Sequence, residues 1–477
     1  MNSTIFENIG AFLPLTIVFL GYTAIIYGLA ILAKKRTQKV ADYVLGGRHM
    51  GGFVTALSAG ASDMSSWLLM ALPGMVMTEG VGVVWLPLSL TLGSYLNWWV
   101  VAGRLRVESE RRGDALTIPA YLAHRFGGYH AGLHLLSSAI IIFFSIFYAV
   151  AGFVSAGKLG QLLLGVDYLY ALWGLGFFIV AYTAIGGFLA VSWVDVFQGI
   201  LMFASLLVVP WVVYGQLGNV SEGVKALDHN GYWDIKAGVS WVGLLSLFAW
   251  GLGYMGQPHI IGRFMAIRSP EELPLARRIC TFWMGMAMAF AFAVGLVGAI
   301  YYRTAPLEDP EMVFLQLSKD FFNDWCYGIL VCAVLSSIMS TVSCLILMAA
   351  NAVVEDLYRV VYKKKKVSLS WHRMTVLGVS LVALMIASAP QQTIMASVAF
   401  PWCGLGASFS PVIVMSLYWK RLTPKGAMAG MVTGGGFVVG WEVLRWMGLE
   451  MLQDITGLSL LPACMLSLVV MTIVSRD

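Results

Sequence analysis

The chain has 477 residues, of which 59% are hydrophobic and only 12% charged, with a mean hydropathy of +0.79. Soluble domains carry about 25% charged residues, so a water-exposed globule is excluded and a polytopic membrane protein is expected, with its 51 glycines suited to close helix packing. The formal net charge of +5 follows from membrane topology and does not point to nucleic acid.

A bilayer core about 30 Å thick needs roughly 20 apolar residues per helix. By that rule thirteen spans are predicted, near 11–33, 53–76, 81–103, 132–163, 168–186, 189–215, 238–262, 279–302, 323–354, 370–388, 393–419, 425–447 and 455–474. The first is expected to be a span and not a cleaved leader, because no basic residue precedes it while Lys34, Lys35 and Arg36 follow it. Those charges predict an external N-terminus. Alternating from there, 24 Lys and Arg fall on the cytoplasmic side and 6 outside (Lys158, Lys225, Lys236, Arg303, Lys319 and Arg445). This positive-inside pattern predicts a bacterial-type inner (plasma) membrane protein with a cytoplasmic C-terminus. The Lys363–Lys366 run reads as a topology and lipid-headgroup feature rather than a nucleic-acid patch.

The whole chain, 1–477, reads as a single membrane domain. The second span is interrupted at its middle by Ser58-Ala59-Gly60-Ala61-Ser62-Asp63-Met64-Ser65-Ser66-Trp67. An intramembrane carboxylate costs about 2.5–3.5 kcal/mol on insertion scales, so Asp63 faces a cavity or a partner. A helix-packing face with Asp63 as a cap is the plainer alternative. The seventh span is interrupted by Trp250-Gly251-Leu252-Gly253-Tyr254-Met255-Gly256-Gln257-Pro258-His259. Its glycines and proline disfavour a continuous helix. The formal GxGxxG within it lacks the preceding strand of a dinucleotide site.

Interrupted helices opening two successive sets of five spans are the mark of an inverted-repeat secondary transporter with a midplane site. The repeats are expected at 53–215 and 238–419, with 1–52 and 420–477 as peripheral helices. Span nine adds Ser336, Ser337, Ser340, Thr341 and Ser343. Five hydroxyls in one stretch exceed what bonding to preceding carbonyls needs, and a hard cation such as sodium favours oxygen ligands. His130 and His134 lack a third ligand and read as interfacial. The six cysteines show no paired spacing and read as small apolar residues. No convergent catalytic set is found, so no enzyme is expected. A transporter-like sensor or a channel is disfavoured, because the chain carries no soluble output domain and no recurring filter loop.

The stretches ADYVLGGR (41–48), FVTALSAGASDMSSWLLMALPG (53–74), NWWVVAGRLR (97–106), GGFLAVSWVD (186–195), WGLGYMGQPHI (250–260), RFMA (263–266), MSTVSC (339–344) and EDLY (355–358) resemble the solute:sodium symporter family, and within it the proline carriers. The resemblance implies an all-α fold with a LeuT-like five-plus-five core and added outer helices. It implies sodium as the co-transported ion, no organic cofactor, and L-proline as substrate, with another small solute as the alternative. Carried over by position, it assigns sodium to Ala61, Met64, Ser337, Ser340 and Thr341, with Asp63 ordering that site. It assigns substrate to Ser65, Trp67, Tyr148, Trp250, Tyr254 and Pro258, and a gate to Arg48. For a second ion it leaves Asp195, Ser340 and Ser343, with Cys344 in place of the fourth oxygen, so one sodium per substrate is expected. One departure is Phe400-Pro401-Trp402-Cys403-Gly404-Leu405-Gly406, where Pro401 and Cys403 replace the residues expected in the pocket wall.

Overall fold

The computed structural model describes residues 2–228, 231–236, 241–363, 367–389, 393–448 and 459–476, with side chains from 13 onward and from 243 in the seventh predicted span. Lys364–Lys366 and the opening residues of the predicted spans 238–262 and 455–474 lie outside the described residues.

The described residues form helices and no strand, because hydrocarbon offers no partner to a free backbone amide or carbonyl. Helix α1 (Asn2–Arg36) is followed by a short α2 (Val40–Leu45). The second predicted span is α3 (Gly52–Asp63), a π-helical turn at Trp67–Ala71, and α4 (Leu72–Glu79). Next come α5 (Trp85–Asn97), a second π turn, α6 (Gly103–Arg111), α7 (Ile118–His124) and α8 (Ala131–Leu164). The predicted spans 168–186 and 189–215 are one element, α9 (Tyr168–Gln216), kinked at Gly187 with φ 66°. Only glycine fits there, since a Cβ would lie 2.5 Å from the Tyr43 ring.

After α10 (Val220–Ala226), the seventh predicted span divides into α11 (Trp241–Leu252), a 3-10 turn at Gly253–Gly256, and α12 (Pro258–Ala266). The chain continues through α13 (Leu273–Tyr301), α14 (Val313–Phe321) and α15 (Asp324–Asn351), the last extended by a π segment, Ala352–Tyr358, into α16 (Arg359–Val361). It closes with α17 (Leu369–Ala387), α18 (Ile394–Tyr418), α19 (Pro424–Trp446) and α20 (Leu460–Val474). Among the described residues, eight helices are long and apolar enough to cross a membrane, the kinked α9 among them. The predicted spans 53–76, 81–103 and 238–262 contain breaks or π turns, and 455–474 corresponds to the shorter α20.

Helix α15 is the axis of the molecule, packed against α1, α3, α8, α9 and α17. Its most apolar stretch is 94% buried, against 17% for α1 and 33% for α17 and α19. Large apolar residues such as Trp99, Phe177 and Trp211 face outward, as lipid-facing side chains do. The six cysteines are free, and all but Cys326 are buried. His134 corrects the interfacial reading: it is buried, with Nε2 2.7 Å from Asp356 Oδ1 and Nδ1 3.1 Å from the Tyr129 hydroxyl.

Candidate functional site at the two helix breaks

The first break begins at Met64, whose ψ of 74° takes the chain out of helix. The second spans Gly253 to Gln257, where Gln257 is extended and Pro258 restarts the helix at its first position. The glycines of this break serve close packing against α18: a Cβ on Gly253 would lie 2.6 Å from Trp402 Nε1, and one on Gly256 2.5 Å from Ser410 N. Side chains then hold the freed backbone. Asn97 Nδ2 donates to Tyr254 O at 3.0 Å, Trp402 Nε1 to Trp250 O at 3.2 Å, and Ser410 Oγ to Leu252 O at 2.9 Å.

The breaks meet. Tyr254 Oη donates to Asp63 Oδ2 across 2.5 Å. Around that bond lies a small cavity lined by Asp63, Met64, Ser65, Trp67, Leu90, Tyr148, Trp250, Tyr254, Val398 and Trp402. Five of the six residues assigned to substrate therefore share one chamber. Trp402 stacks on Trp250 at 6.3 Å between centroids and presents an edge to Tyr254 at 5.0 Å. It belongs to the stretch read as pocket wall, yet no spacing rule singles it out. Pro258 is the exception among the six: it lines a second, larger cavity, which runs toward the end of the bundle carrying Arg48 and Asp356. Tyr148 lines the first cavity and His259 the second, and their rings meet edge to face at 5.8 Å.

The hydroxyls of α15 divide into two groups. Ser336, Ser337 and Ser343 each donate to a carbonyl three or four residues earlier, the ordinary habit of such residues. Ser340 Oγ instead reaches Ala61 O at 2.8 Å, and Thr341 Oγ1 reaches Ser62 O at 2.8 Å. The Ser337 carbonyl accepts from Ser340 Oγ at 3.2 Å. Ala61, Ser337, Ser340 and Thr341 thus converge, and Met64 stands at the adjoining break. Ser62, whose carbonyl meets Thr341, is absent from the set carried over by resemblance.

Asp195 is fully buried, and its Oδ2 accepts from Arg263 Nη2 at 2.9 Å and from Ser58 Oγ at 2.7 Å. Arg263 also donates to Ser58 Oγ, His259 O and Cys344 Sγ. A guanidinium therefore occupies the position where a second cation would be sought.

Arg48 lines neither cavity, although Met265, to which it donates, lines the second. It sits in the left-handed region at φ 57°, after two glycines that do the same. Its guanidinium donates to Asp114 Oδ1 (2.9 Å), Ser109 Oγ (3.2 Å), Met265 O (2.7 Å) and Ala115 O (2.8 Å). These bonds tie the approach to α3 to the ends of α6 and α12. Met50 reinforces the same join through a β-bridge to Ile267. Burial pulls the Arg48 guanidinium below its ordinary pKa, and the adjacent Asp114 opposes that pull.

Comparison with known proteins identifies the family and the fold. The profile of the sodium:solute symporter family matches residues 43–434. The high-affinity proline transporter PutP of Bacillus subtilis is 45% identical over 421 residues, covering 87% of this chain and 89% of that one. The sodium/proline symporter of Escherichia coli is 40% identical over 447 residues, covering 91% and 89%. That of Staphylococcus aureus is 39% identical over 488 residues, covering 100% and 95%. Among solved structures, a Na+-coupled sialic acid symporter in a substrate-bound, outward-open state matches with a TM-score of 0.81 at 15% identity, over 97% of this chain and 98% of that one. The fold is therefore the LeuT-like one.

Proposed function

The chain belongs to the sodium:solute symporter family, and from that premise we propose that it couples inward sodium movement to uptake of L-proline by alternating access. Membership makes it a membrane transporter and not an enzyme. The observation that carries the substrate reading is the small chamber at the junction of the two breaks, walled by Trp67, Tyr148, Trp250, Tyr254 and Trp402. Aromatic faces cover the apolar pyrrolidine ring. The Ser65 hydroxyl and the half-helix ends meet its charged groups.

Sodium takes oxygens of Ala61, Met64, Ser337, Ser340 and Thr341, and Asp63 orders the break beside them. The first repeat is 53–215 and the second 238–419, with 1–52 and 420–477 peripheral. The protein lies in the plasma membrane with its N-terminus outside and its C-terminus cytoplasmic, so the larger cavity faces the cytoplasm. Arg48 latches the cytoplasmic gate. One sodium moves per proline.

A membrane potential of 100 mV supplies about 2.3 kcal/mol per charge, and a tenfold sodium gradient adds about 1.4 kcal/mol. One ion per zwitterion then sustains roughly a few hundred-fold accumulation. The test is uptake of labelled proline by proteoliposomes. An inward sodium gradient is expected to drive it, and a negative interior to accelerate it. Uptake that ignores sodium and follows a proton gradient would overturn the ion assignment.

A further inference from the structure

The larger cavity holds polar groups that the proposed transport site does not use. It begins near Cys344, one helical turn beyond Ser340 and Thr341 on α15, and continues along that helix. Cys344, Leu347, Met348 and Asn351 line it at the spacing of one helix face. The face would then rotate away, but the chain enters the π segment Ala352–Tyr358. Its wider turn brings the fifth residue onward, Asp356, back to the same wall. Asn351 lies about 10 Å beyond Cys344 along the axis, at 1.5 Å per residue.

Two acceptor oxygens stand out at this end. Asp356 Oδ1 accepts from Thr117 Oγ1 at 2.6 Å and faces His134 Nε2 at 2.7 Å. Asp356 Oδ2 and Asn351 Oδ1 are buried without a hydrogen-bond partner among the described residues. Asp356 is 1% exposed and Asn351 5%. Buried polar atoms are almost always satisfied, so two orphaned acceptors on one cavity wall point to something that binds there. Among the described residues the two nearby guanidinium groups are engaged elsewhere, while His259, on the same cavity wall, keeps both ring nitrogens buried and unpartnered. Arg263 serves Asp195, Ser58, His259 and Cys344, and Arg359 pairs with Glu355 at 2.7 Å. No described residue satisfies these oxygens, and a carboxylate with an amide carbonyl on one cavity wall selects a small, hard cationic group.

We propose that Asn351 and Asp356 form a weak cation site on the release path, the last protein ligands met by a cation leaving the transport site for the cytoplasm. This rests on the symporter reading above. The chemistry fits two carried groups, the sodium ion and the ammonium of the zwitterionic substrate. Two residues with unpartnered oxygens line the cavity here, so water completes the shell and the site empties readily. A release path needs that property, because a stop that binds tightly would block it. The ion is the one already counted, so the coupling ratio is unaffected.

The test is proline uptake by proteoliposomes of fixed orientation with sodium and proline set independently on each side. Asn351→Leu and Asp356→Asn are compared with the unmodified chain. Asp356→Asn perturbs the contact with His134, whereas Asn351→Leu removes an oxygen that no described residue uses, so the second variant decides if the first misfolds. The ratio of internal to external sodium giving half-effect is expected to rise about fivefold, as the loss of one modest polar ligand implies. A shift seen with internal sodium alone identifies the ion as the occupant. A shift seen with internal proline at constant sodium identifies the ammonium. Unchanged inhibition by both overturns the site while leaving the symporter reading intact. External titration showing no sodium dependence in the unmodified chain overturns both.

Discussion

Tyr254 donates a hydrogen bond from its hydroxyl to Asp63 Oδ2 across 2.5 Å, joining the break that follows α11 to the break that follows α3. Resemblance assigns Tyr254 to the substrate and Asp63 to the ion. The bond makes them one unit, so on the proposed assignment occupancy of the sodium site and the shape of the substrate chamber are expected to depend on each other. Coupling needs such a connection, because a ligand shifts a conformational equilibrium only through differential contacts.

The first prediction concerns that unit. Asp63→Asn is expected to raise the sodium concentration for half-maximal uptake by about 10- to 100-fold, the range for losing a hydrogen bond to a charged group. The proline requirement at saturating sodium changes far less. Tyr254→Phe keeps the ring and removes the donor, so it shifts sodium dependence in the same direction. The double variant is expected to fall short of the sum of the two effects. Strict additivity in a sodium titration of all four proteins would show that the bond carries no coupling.

Trp250→Ala and Trp402→Ala separate ring recognition from ion binding. Each removes an aromatic wall whose burial is worth about 1.5–3 kcal/mol, so proline affinity is expected to fall by about tenfold or more. Sodium binding measured without substrate stays near its original value, because neither indole is among the proposed ion ligands. Equilibrium binding of labelled proline and labelled sodium to the purified variants checks both halves.

The breaks themselves were legible in the sequence, because glycine, proline and a carboxylate inside apolar stretches weaken a continuous helix in hydrocarbon and so mark where it parts. The boundary drawn between the predicted spans 168–186 and 189–215 falls at Gly187, where the structure has a kink within one element. Long-range pairings were not. Nothing in the local pattern tells that Arg263 faces Asp195, 68 residues away, or that His134 faces Asp356. Hydropathy marks such residues as anomalous without naming their partners. Trp402 was obscured for a related reason: an aromatic residue in an apolar span gives no periodic signal separating a chamber wall from a lipid contact. The hydroxyls of α15 were visible as a group, and geometry was needed to separate Ser340 and Thr341 from neighbours that bond their own helix.

Arg48 offers a kinetic prediction. Its planar fork reaches two carbonyls, a hydroxyl and a carboxylate at once, a geometry that lysine cannot reproduce. Arg48→Lys is expected to lower the maximal rate of uptake by about tenfold, the effect of one or two modest hydrogen bonds. Equilibrium proline binding changes by less than about twofold, because Arg48 touches neither cavity. Initial-rate uptake and binding on the same preparation separate the two. A loss of affinity equal to the loss of rate would place Arg48 in ligand binding and not in gating.

The last prediction is a coupling ratio of one sodium per proline. The residues left for a second ion are Asp195, Ser340, Ser343 and Cys344, and each already has a partner, although Asp195 Oδ1 has none among the described residues. Asp195 pairs with Arg263, whose Nη1 also donates to Cys344 Sγ at 3.0 Å. Ser340 reaches Ala61, and Ser343 donates to Met339 O and accepts from the Tyr182 hydroxyl at 2.5 Å. The sulfur would be a poor ligand for a hard cation in any case. In this structure Arg263 stands where a second sodium would, neutralising Asp195 within the bundle. Removing one partner of a buried pair costs about 3–5 kcal/mol, so Arg263→Ala leaves a charge that only another cation relieves. In that variant, with Cys344→Ser supplying a harder ligand, the ratio is expected to move from one toward two. Reversal potentials measured across imposed sodium and proline gradients read the ratio directly. A value of two in the unmodified chain would mean that Arg263 leaves Asp195 at some point in the cycle and that an ion takes its place.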